Sequence, residues 1–371
     1  MQANDNILRL LREKEAETAQ GFCRAVILQP GAIGDCVLTL PLAELMKESL
    51  RLGTVDILGH TEYIGVLPGR TCVDGIRSMD LMDLHRLFTE PKTFDLADGD
   101  PLIKTFADYA WIVTFLGEPD SDFEQNLIFT VNCSRSAEVI TLSMKPPKDF
   151  SGHLTDFYIQ QFIEQSGLSL KPRRTRPSDY LIKATKADVS GGRELLKEIP
   201  ATLGFEQARH RRVDFSKKLV VIAPGSGGLR KCWHLDNFLA VAKELISGGI
   251  EVIFLLGPAE LERFSKANLK KINSVAGCLT DLSLAQVLGL LSCADWYLGN
   301  DSGITHLAAG LGVETIAVFG PTDPAVYGPV GPVVTVLKSS SKTFARKPSV
   351  SLQRKLLKIF AEKNKKAAKN S

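Results

Sequence analysis

A glycine-rich segment with a nearby lysine is the first place in this sequence where the residue types suggest chemistry. The segment runs from Pro224 to Gly228 and includes Ser226 and Gly227, and Lys231 follows three residues later. Because glycines carry no Cβ, their backbone N–H groups can approach an anion closely, and the lysine adds a point charge suited to phosphate. The segment matches neither the P-loop nor the G-x-G-x-x-G pattern, which disfavours an ATPase or a dehydrogenase. A plain turn beside a solvated lysine is an equally weighted alternative.

A second candidate for anion binding precedes a predicted helix. The segment Gly299-Asn300-Asp301-Ser302-Gly303 ends where a helix containing His306 is expected to begin. The first N–H groups of a helix have no intrahelical partner and lie at the positive end of its dipole, so this segment could hold a diphosphate. The structural alternative is that Asp301 or Ser302 caps the helix and that His306 belongs to the core.

Asp35 is the candidate for acid–base chemistry. It follows Gly31-Ala32-Ile33-Gly34, between a predicted strand and a helix that contains Leu38 and Leu42. A carboxylate at this place either caps the helix or faces a cleft, where it could accept the proton of an attacking hydroxyl. From the residues alone, the helix cap is the favoured interpretation.

No pattern in the sequence indicates a metal site or a disulfide framework. The seven cysteines are scattered without a C-x-x-C pair, and we expect Cys36 and Cys232 to be small buried residues. The six histidines show no ligand spacing, and Asp98-Gly99-Asp100 lies in a loop with no strand directly before it, so a solvated turn is expected there. We therefore predict no catalytic metal, no cofactor and a reducing compartment, the cytoplasm.

The composition is that of a soluble globular protein and disfavours a nucleic-acid-binding or membrane-spanning protein. The 371 residues are 44% hydrophobic and 23% charged, and this length suggests two domains. The net charge is +3, but the segment from Lys338 to the end carries eleven basic residues and one acid, which leaves −7 on the rest of the chain. An acidic body disfavours nucleic acid as a partner. No apolar run is long enough to cross a bilayer, and the charged start, Met1 to Gln20, is predicted to form a surface helix.

Short apolar strands alternate with helical patterns, which predicts repeated βα units and parallel sheets. The clearest predicted strands are Ala25–Leu28, Thr54–Leu58, Trp111–Phe115, Leu219–Ala223, Glu251–Leu256, Trp296–Leu298 and Thr315–Phe319. The clearest predicted helices are Asp156–Gln165, Leu235–Ile246, Leu284–Ser292 and Thr305–Leu311.

Five glycine-containing loops each follow the carboxyl end of a predicted strand. They begin at Pro30, Pro224, Gly257, Gly299 and Gly320. Ligands bind at the carboxyl ends of strands in open α/β sheets, so five such loops indicate a ligand cleft. The residues assigned to the lining of this cleft, besides the binding residues, are Gly34, Gly320 and Thr322.

Together these segments resemble glycosyltransferase family 9, the ADP-heptose:lipopolysaccharide heptosyltransferase family, over most of the chain. The residues that carry the resemblance are Gln29-Pro-Gly-Ala-Ile-Gly-Asp35 with Thr39 and Pro41, Pro224-Gly-Ser226, Lys231-Cys-Trp233, Gly257-Pro-Ala-Glu260, Gly299-Asn-Asp-Ser-Gly303, His306-Leu-Ala-Ala309 and Phe319-Gly-Pro-Thr-Asp-Pro324. The last three segments, in this order and at these spacings, are highly specific.

The resemblance implies a GT-B fold, in which two Rossmann-like, doubly wound α/β domains face a central cleft. We expect an acceptor-binding domain over residues 1–175, a nucleotide-sugar domain over 176–345 and a basic C-terminal helix or tail over 346–371. The connector from Lys171 to Lys218 is longer and more basic than the family pattern suggests, and the C-terminal segment departs from the family's usual ending. Because of these two departures, the resemblance does not identify the acceptor.

The resemblance also implies an inverting, metal-independent transfer of a sugar, heptose in this family, from an ADP-linked donor to a glycan or glycolipid acceptor. Asp35 would be the general base. The donor-binding residues would be Ser226, Gly227, Lys231, Glu260, Asp301, Ser302, Gly303 and His306, with Glu260 near the nucleoside and most of the others at the diphosphate.

The basic C-terminal segment admits two hypotheses. Leu352, Leu356, Ile359 and Phe360 share one face of a predicted helix, which favours packing on the body of the protein. The lysine-rich end favours attraction to anionic lipid at the inner face of the cytoplasmic membrane, where a lipid-linked acceptor would lie.

Three other functions remain as alternatives. The transferred sugar could come from a different nucleotide, because diphosphate contacts do not distinguish sugars. The protein could bind nucleotides without catalysis, although the presence of Asp35 and Lys231 disfavours that. A nicotinamide oxidoreductase is disfavoured because the dinucleotide pattern is absent.

Overall fold

Each half of the chain forms one parallel sheet flanked by helices. The computed structural model describes residues 23–170, 181–197, 199 and 212–370. The chain divides into two compact units, residues 1–175 and residues 176–371, so the basic C-terminal segment belongs to the second unit. The predicted N-terminal helix and, within the Lys171–Lys218 connector, residues 171–180, 198 and 200–211 lie outside the described residues.

In the described part of the first unit, five parallel strands form a sheet in the order β3-β2-β1-β4-β5. The strands are β1 (Arg24–Gln29), β2 (Thr54–Gly59), β3 (Gly75–Ser78), β4 (Trp111–Thr114) and β5 (Glu138–Thr141). The helices are α1 (Ile33–Ser49), α2 (Thr61–Ile64), α3 (Pro101–Phe106), α4 (Asp122–Asn132) and α5 (Leu154–Ser166). Two short 3₁₀ turns, Met79–Leu81 and Leu84–Phe88, follow β3.

The centre of the first sheet is covered on both faces, which explains its continuous apolar sequence. Val26, Ile27 and Leu28 are fully buried, as are Ile112 and Val113 in the adjacent strand. Crossover helices cover both faces of a parallel sheet, so its central strands have no solvent-facing side and need no polar alternation.

Among the described residues of the second unit, six parallel strands form a sheet in the order β11-β10-β9-β6-β7-β8. The strands are β6 (Leu219–Ala223), β7 (Glu251–Leu255), β8 (Gly277–Leu279), β9 (Trp296–Asn300), β10 (Glu314–Phe319) and β11 (Val334–Lys338). The helices are α6 (Lys186–Lys197), α7 (Leu235–Ser247), α8 (Pro258–Arg263), α9 (Lys266–Val275), α10 (Leu284–Ser292), α11 (Gly303–Gly310), α12 (Pro324–Tyr327) and α13 (Val350–Asn370). Numbered within the unit, this is the 3-2-1-4-5-6 order of a doubly wound Rossmann sheet.

The long C-terminal helix α13 packs on the second unit. Leu356 and Phe360 are buried in the same apolar cluster as α7, and the Phe360 ring meets Trp296 edge to face at 5.7 Å. Asn237 Oδ1 accepts hydrogen bonds from Ser349 N and Gln353 Nε2, both at 2.7 Å. The packing hypothesis for this helix is therefore confirmed, while the side chains of the four final lysines lie outside the described part.

Every strand predicted as clear is present to within two residues at each end. The structure adds the short strands β3, β5, β8 and β11 and the helices α2, α3, α4, α6, α8, α9 and α12. In the described part of the chain, no helix has the length and apolar character needed to cross a bilayer.

Candidate functional site

The strand order of the second unit brings two of the predicted loops together. β6 lies beside β9, with Ala223 opposite Gly299, and the chain continues from β6 away from β9 to β7. The loops that follow β6 and β9 therefore begin side by side, at the point where the strand order reverses, and lead toward opposite edges of the sheet. In open α/β sheets this reversal point is where ligands bind.

Direct hydrogen bonds join these two loops. Ser226 Oγ donates to Asp301 O at 2.6 Å, and Asn300 Nδ2 donates to Pro224 O at 2.7 Å. Asn300 Oδ1 accepts from Trp233 N at 2.8 Å, and both Asn300 and Trp233 are buried. The amide of Asn300 thus fixes the start of the glycine-rich segment and, through Trp233, the chain five residues beyond its end.

Lys231, Asp301 and Thr322 form one charged cluster from three loops. Lys231 Nζ lies 2.8 Å from Asp301 Oδ2, and Thr322 Oγ1 donates to the same oxygen at 2.5 Å. The Asp301 carboxylate is 5% exposed, whereas the Lys231 side chain is 38% exposed. A carboxylate repels an anion, so Lys231 is the group of this cluster that could attract one.

Ser302 caps helix α11, as the structural alternative held. Its Oγ accepts from Thr305 N at 3.4 Å, and Thr305 Oγ1 lies 3.1 Å from both Ser302 Oγ and Tyr297 OH. His306 is 5% exposed within this helix. The cap positions the first turn of the helix, including Gly303, at the carboxyl end of β9.

Glu260 is placed in the first turn of the short helix α8, which follows β7. Its Oε2 accepts from Gly257 N at 2.7 Å, and burial raises the pKa of its carboxyl above the usual value. A Cβ at Gly225 would fall 1.5 Å from Glu260 Oε1, so glycine is required where this carboxylate meets the loop. Glu260, which was expected near the nucleoside, lies beside the glycine-rich loop.

Two basic residues outside the predicted site residues also contact these loops. Arg263 donates from Nη1 to Ser226 O at 2.8 Å and from Nη2 to Gly227 O at 2.9 Å. Lys338 Nζ donates to Gly320 O at 2.7 Å. Neither residue lies in a recognisable pattern, because each acts on a loop that is distant in sequence.

In the first unit, Asp35 occupies the third position of helix α1. Its Oδ2 accepts from Ala32 N at 3.0 Å, which is the carboxylate half of a capping box; Ala32 itself has no side-chain acceptor. Thr39 Oγ1 donates to Asp35 O and accepts from Gln29 Nε2. Asp35 therefore caps the helix, and it remains partly exposed at the carboxyl end of β1.

Gly34 and Cys36 flank this aspartate in the same helical turn. Gly34 is partly exposed, whereas Cys36 is buried, as expected, and its thiol is far from reactive. Burial, with the neighbouring Asp35 charge, raises the pKa of the Cys36 thiol to about 12.

The discounted D-x-D segment is structural. Asp100 is 7% exposed, caps helix α3 by accepting from Leu102 N at 3.0 Å, and pairs with Arg86 at 2.9 Å. The Arg86 guanidinium holds the pKa of this carboxyl below its usual value. The expected solvated turn is wrong for Asp100, because this ion pair and cap draw the side chain inward.

Elsewhere in the first unit, a cluster of polar side chains and a cavity lie outside the predicted site. Among the described residues, His60, Glu62 and Asp80 bring ligand-type atoms within 4.8 Å of one another, with His60 Nδ1 at 3.0 Å from Asp80. A cavity of about 430 Å³ lies at the amino ends of the strands, where Arg24 pairs with the buried Asp56. That edge of the sheet is opposite to the one where Asp35 lies, so the cavity is not part of the predicted site.

Known proteins match this chain, one of them over most of its length. Glycosyltransferase family 9 (heptosyltransferase) matches residues 184–359. Lipopolysaccharide heptosyltransferase 3 of Escherichia coli is 31% identical over 313 residues, which are 78% of this chain and 81% of that protein. Lipopolysaccharide core heptosyltransferase OpsX of Haemophilus influenzae is 30% identical over 145 residues, which are 38% of this chain and 42% of that protein.

Solved structures share the fold at low sequence identity. A glycosyl transferase family 9 protein from Veillonella parvula superposes with a TM-score of 0.62 at 16% identity, covering 91% of this chain and 95% of its own. The E. coli ADP-heptose lps heptosyltransferase II gives 0.61 at 16% identity, covering 91% and 98%. The E. coli heptosyltransferase WaaC with ADP gives 0.58 at 18% identity, covering 92% and 99%.

Proposed function

The chain belongs to glycosyltransferase family 9, the heptosyltransferase family, and on this basis we propose that it transfers heptose from an ADP-linked donor to a hydroxyl of a lipopolysaccharide-core acceptor. That it is a glycosyltransferase with the predicted GT-B fold follows from the family and from its structural neighbours. The identity of the sugar, the nucleotide and the acceptor is the proposal, and the names of the relatives support it.

The observation that carries the proposal is the cluster of loops at the strand reversal of the second unit. Lys231 presents a partly exposed ammonium beside the capped start of helix α11, and the glycine-rich loop lies next to both. A departing diphosphate gains negative charge as the glycosidic bond breaks, and fixed positive groups of this kind stabilise it without a metal ion.

We assign the proton transfer to Asp35. Its carboxylate accepts the proton of the acceptor hydroxyl while the hydroxyl oxygen forms a bond to the anomeric carbon. The bond from that carbon to the diphosphate breaks in the same step, and ADP leaves with the electron pair. One in-line displacement inverts the anomeric configuration.

Nucleotide binding tests the donor half of this proposal. We expect ADP to raise the melting temperature of the wild-type protein more than UDP, GDP or NAD, because the stabilisation follows the affinity for the folded state. Lys231→Ala should lose most of the ADP effect, since the variant lacks the partly exposed cation of the loop cluster. Turnover of ADP-heptose, followed by release of ADP, then tests the sugar.

Each outcome separates the alternatives. A preference for UDP or GDP would keep the glycosyltransferase and reject the ADP-linked donor. Binding of ADP with no turnover of any sugar donor would favour a nucleotide-binding protein without catalysis. Stabilisation by NAD alone would contradict the donor proposal.

We also propose that the reaction takes place in the cytoplasm, where nucleotide sugars are available, at the inner face of the membrane. The four lysines from Lys363 onward would then attract anionic lipid and keep the enzyme near a lipid-linked acceptor.

A further inference from the structure

Arg263 holds two successive carbonyl oxygens of the loop that follows β6. Its Nη1 donates to Ser226 O at 2.8 Å and its Nη2 donates to Gly227 O at 2.9 Å. The guanidinium is a planar group whose N–H donors have fixed directions. Both carbonyls are therefore fixed toward the same side of the loop.

The orientation of these carbonyls determines where the neighbouring N–H groups point. In a trans peptide, C=O and N–H point in opposite directions, and the described chain has no cis peptide. Because Ser226 O and Gly227 O face Arg263, the N–H groups of Gly227 and Gly228 face away from it. Within the described residues neither N–H has a hydrogen-bond acceptor, and a Cβ on Gly227 would meet open space.

The helix that carries Arg263 contacts the loop at a second point. Glu260, one turn earlier in α8, places its carboxylate against Gly225 while it caps the helix through Gly257 N. The loop is thus held at Gly225 by one side chain and at Ser226 and Gly227 by the other. Two contacts from one short helix fix both the position of the loop and the direction of its peptides.

From this geometry we infer that Arg263 is a positioning residue, which turns the Gly227 and Gly228 N–H groups toward the donor diphosphate. The inference rests on the proposed function, because it assumes that this loop binds the donor. Arg263 itself does not contact the donor; it acts through the loop. Preorganised N–H donors bind an anion without first reorienting, so losing the arginine weakens binding even though the donors remain.

Binding of two matched ligands tests the inference. Isothermal titration calorimetry measures the affinity for whichever of ADP, UDP and GDP binds the wild type best, and saturation-transfer NMR measures the affinity for the corresponding nucleoside. We expect Arg263→Ala to weaken diphosphate binding about tenfold or more, which is the size expected for lost charge-assisted hydrogen bonds to the loop. Nucleoside affinity should change less than about twofold, because the nucleoside has no phosphate for the N–H groups to bind.

Two further variants separate positioning from charge and from general damage. Arg263→Lys keeps the charge but lacks the two-nitrogen fork, so it should remain as weak as Arg263→Ala. Free guanidinium, but not methylammonium, should restore binding to Arg263→Ala. Arg230→Ala, which removes an exposed arginine from the neighbouring turn, should bind like the wild type and serves as the control.

Several results would overturn the inference. Unchanged diphosphate binding in Arg263→Ala would show that the loop keeps its direction without the arginine. Wild-type binding in Arg263→Lys would assign the effect to charge, and an equal loss of diphosphate and nucleoside would assign it to general damage. A wild-type protein that binds no nucleoside diphosphate would overturn the proposed function and, with it, this inference.

Discussion

At the scale of single residues, one carboxylate has two roles that must be separated. Asp35 caps helix α1 through Ala32 N, and in the proposed mechanism it also accepts the acceptor proton. These roles use the same side chain but have different requirements. The cap needs only an oxygen acceptor, whereas the base needs an ionisable group.

Asp35→Asn distinguishes the two roles. The amide oxygen can still accept from Ala32 N, so we expect the free energy of unfolding to fall by less than about 1 kcal/mol. The base is lost, so kcat should fall roughly 10²–10⁴-fold. Steady-state kinetics and urea unfolding measure the two effects on the same sample.

Ser121→Ala provides the matched control in the same unit. Ser121 caps helix α4 by accepting from Glu124 N, so its loss should cost about 1 kcal/mol with kcat unchanged. If Asp35→Asn retains wild-type kcat, Asp35 serves only as a cap.

At the scale of elements, the second unit depends on an unusually close pair of helices. Helices α6 and α10 meet at Gly192 and Gly289, where a Cβ on Gly192 would fall 2.0 Å from Gly289 O. The neighbouring Gly191 has open space around its Cα. Of these two adjacent glycines, Gly192 is required for the close packing of the helices, whereas Gly191 could be replaced by a larger residue without a clash.

Gly192→Ala should destabilise the protein by roughly 1–3 kcal/mol or more, because the backbone of α10 has to move to admit the methyl group. Gly191→Ala is the control and should stabilise by up to about 1 kcal/mol, since alanine favours a helix more than glycine does. Chemical denaturation of both variants measures the difference. Equal stability of the two variants would contradict the packing role of Gly192.

At the scale of the whole molecule, the C-terminal helix combines a packed part with a charged end. Leu356 and Phe360 are buried in the second unit, so a truncation before them would remove core residues. A stop codon at Lys363 leaves this packing intact and removes only the lysine-rich end. The two hypotheses for the basic segment therefore apply to different parts of one helix.

The truncation at Lys363 tests the proposed membrane contact. Lysines near an anionic surface contribute about 1 kcal/mol each, so losing four of them should weaken co-sedimentation with phosphatidylglycerol vesicles by tenfold or more. Neither protein should bind phosphatidylcholine vesicles, and the melting temperatures should agree within about 2 °C. Equal binding of both proteins to anionic vesicles would reject the contact.

The sequence by itself determined the βα repeats and the main strands, because buried parallel strands are continuous apolar runs and their loops contain glycine at the carboxyl ends. It also determined the family, since short segments such as Gly299–Gly303 keep their order and spacing. Local patterns of this kind depend on neighbours in the chain, so they are visible without a structure.

Only the tertiary structure decided which residues support the loops. Arg263 contacts Ser226 and Gly227, which lie 36 or more residues away, and Lys338 reaches back to Gly320 from the next strand. The pairing of Lys231 with Asp301 likewise depends on β6 lying beside β9. Such contacts follow from strand order and helix packing, which no local pattern specifies.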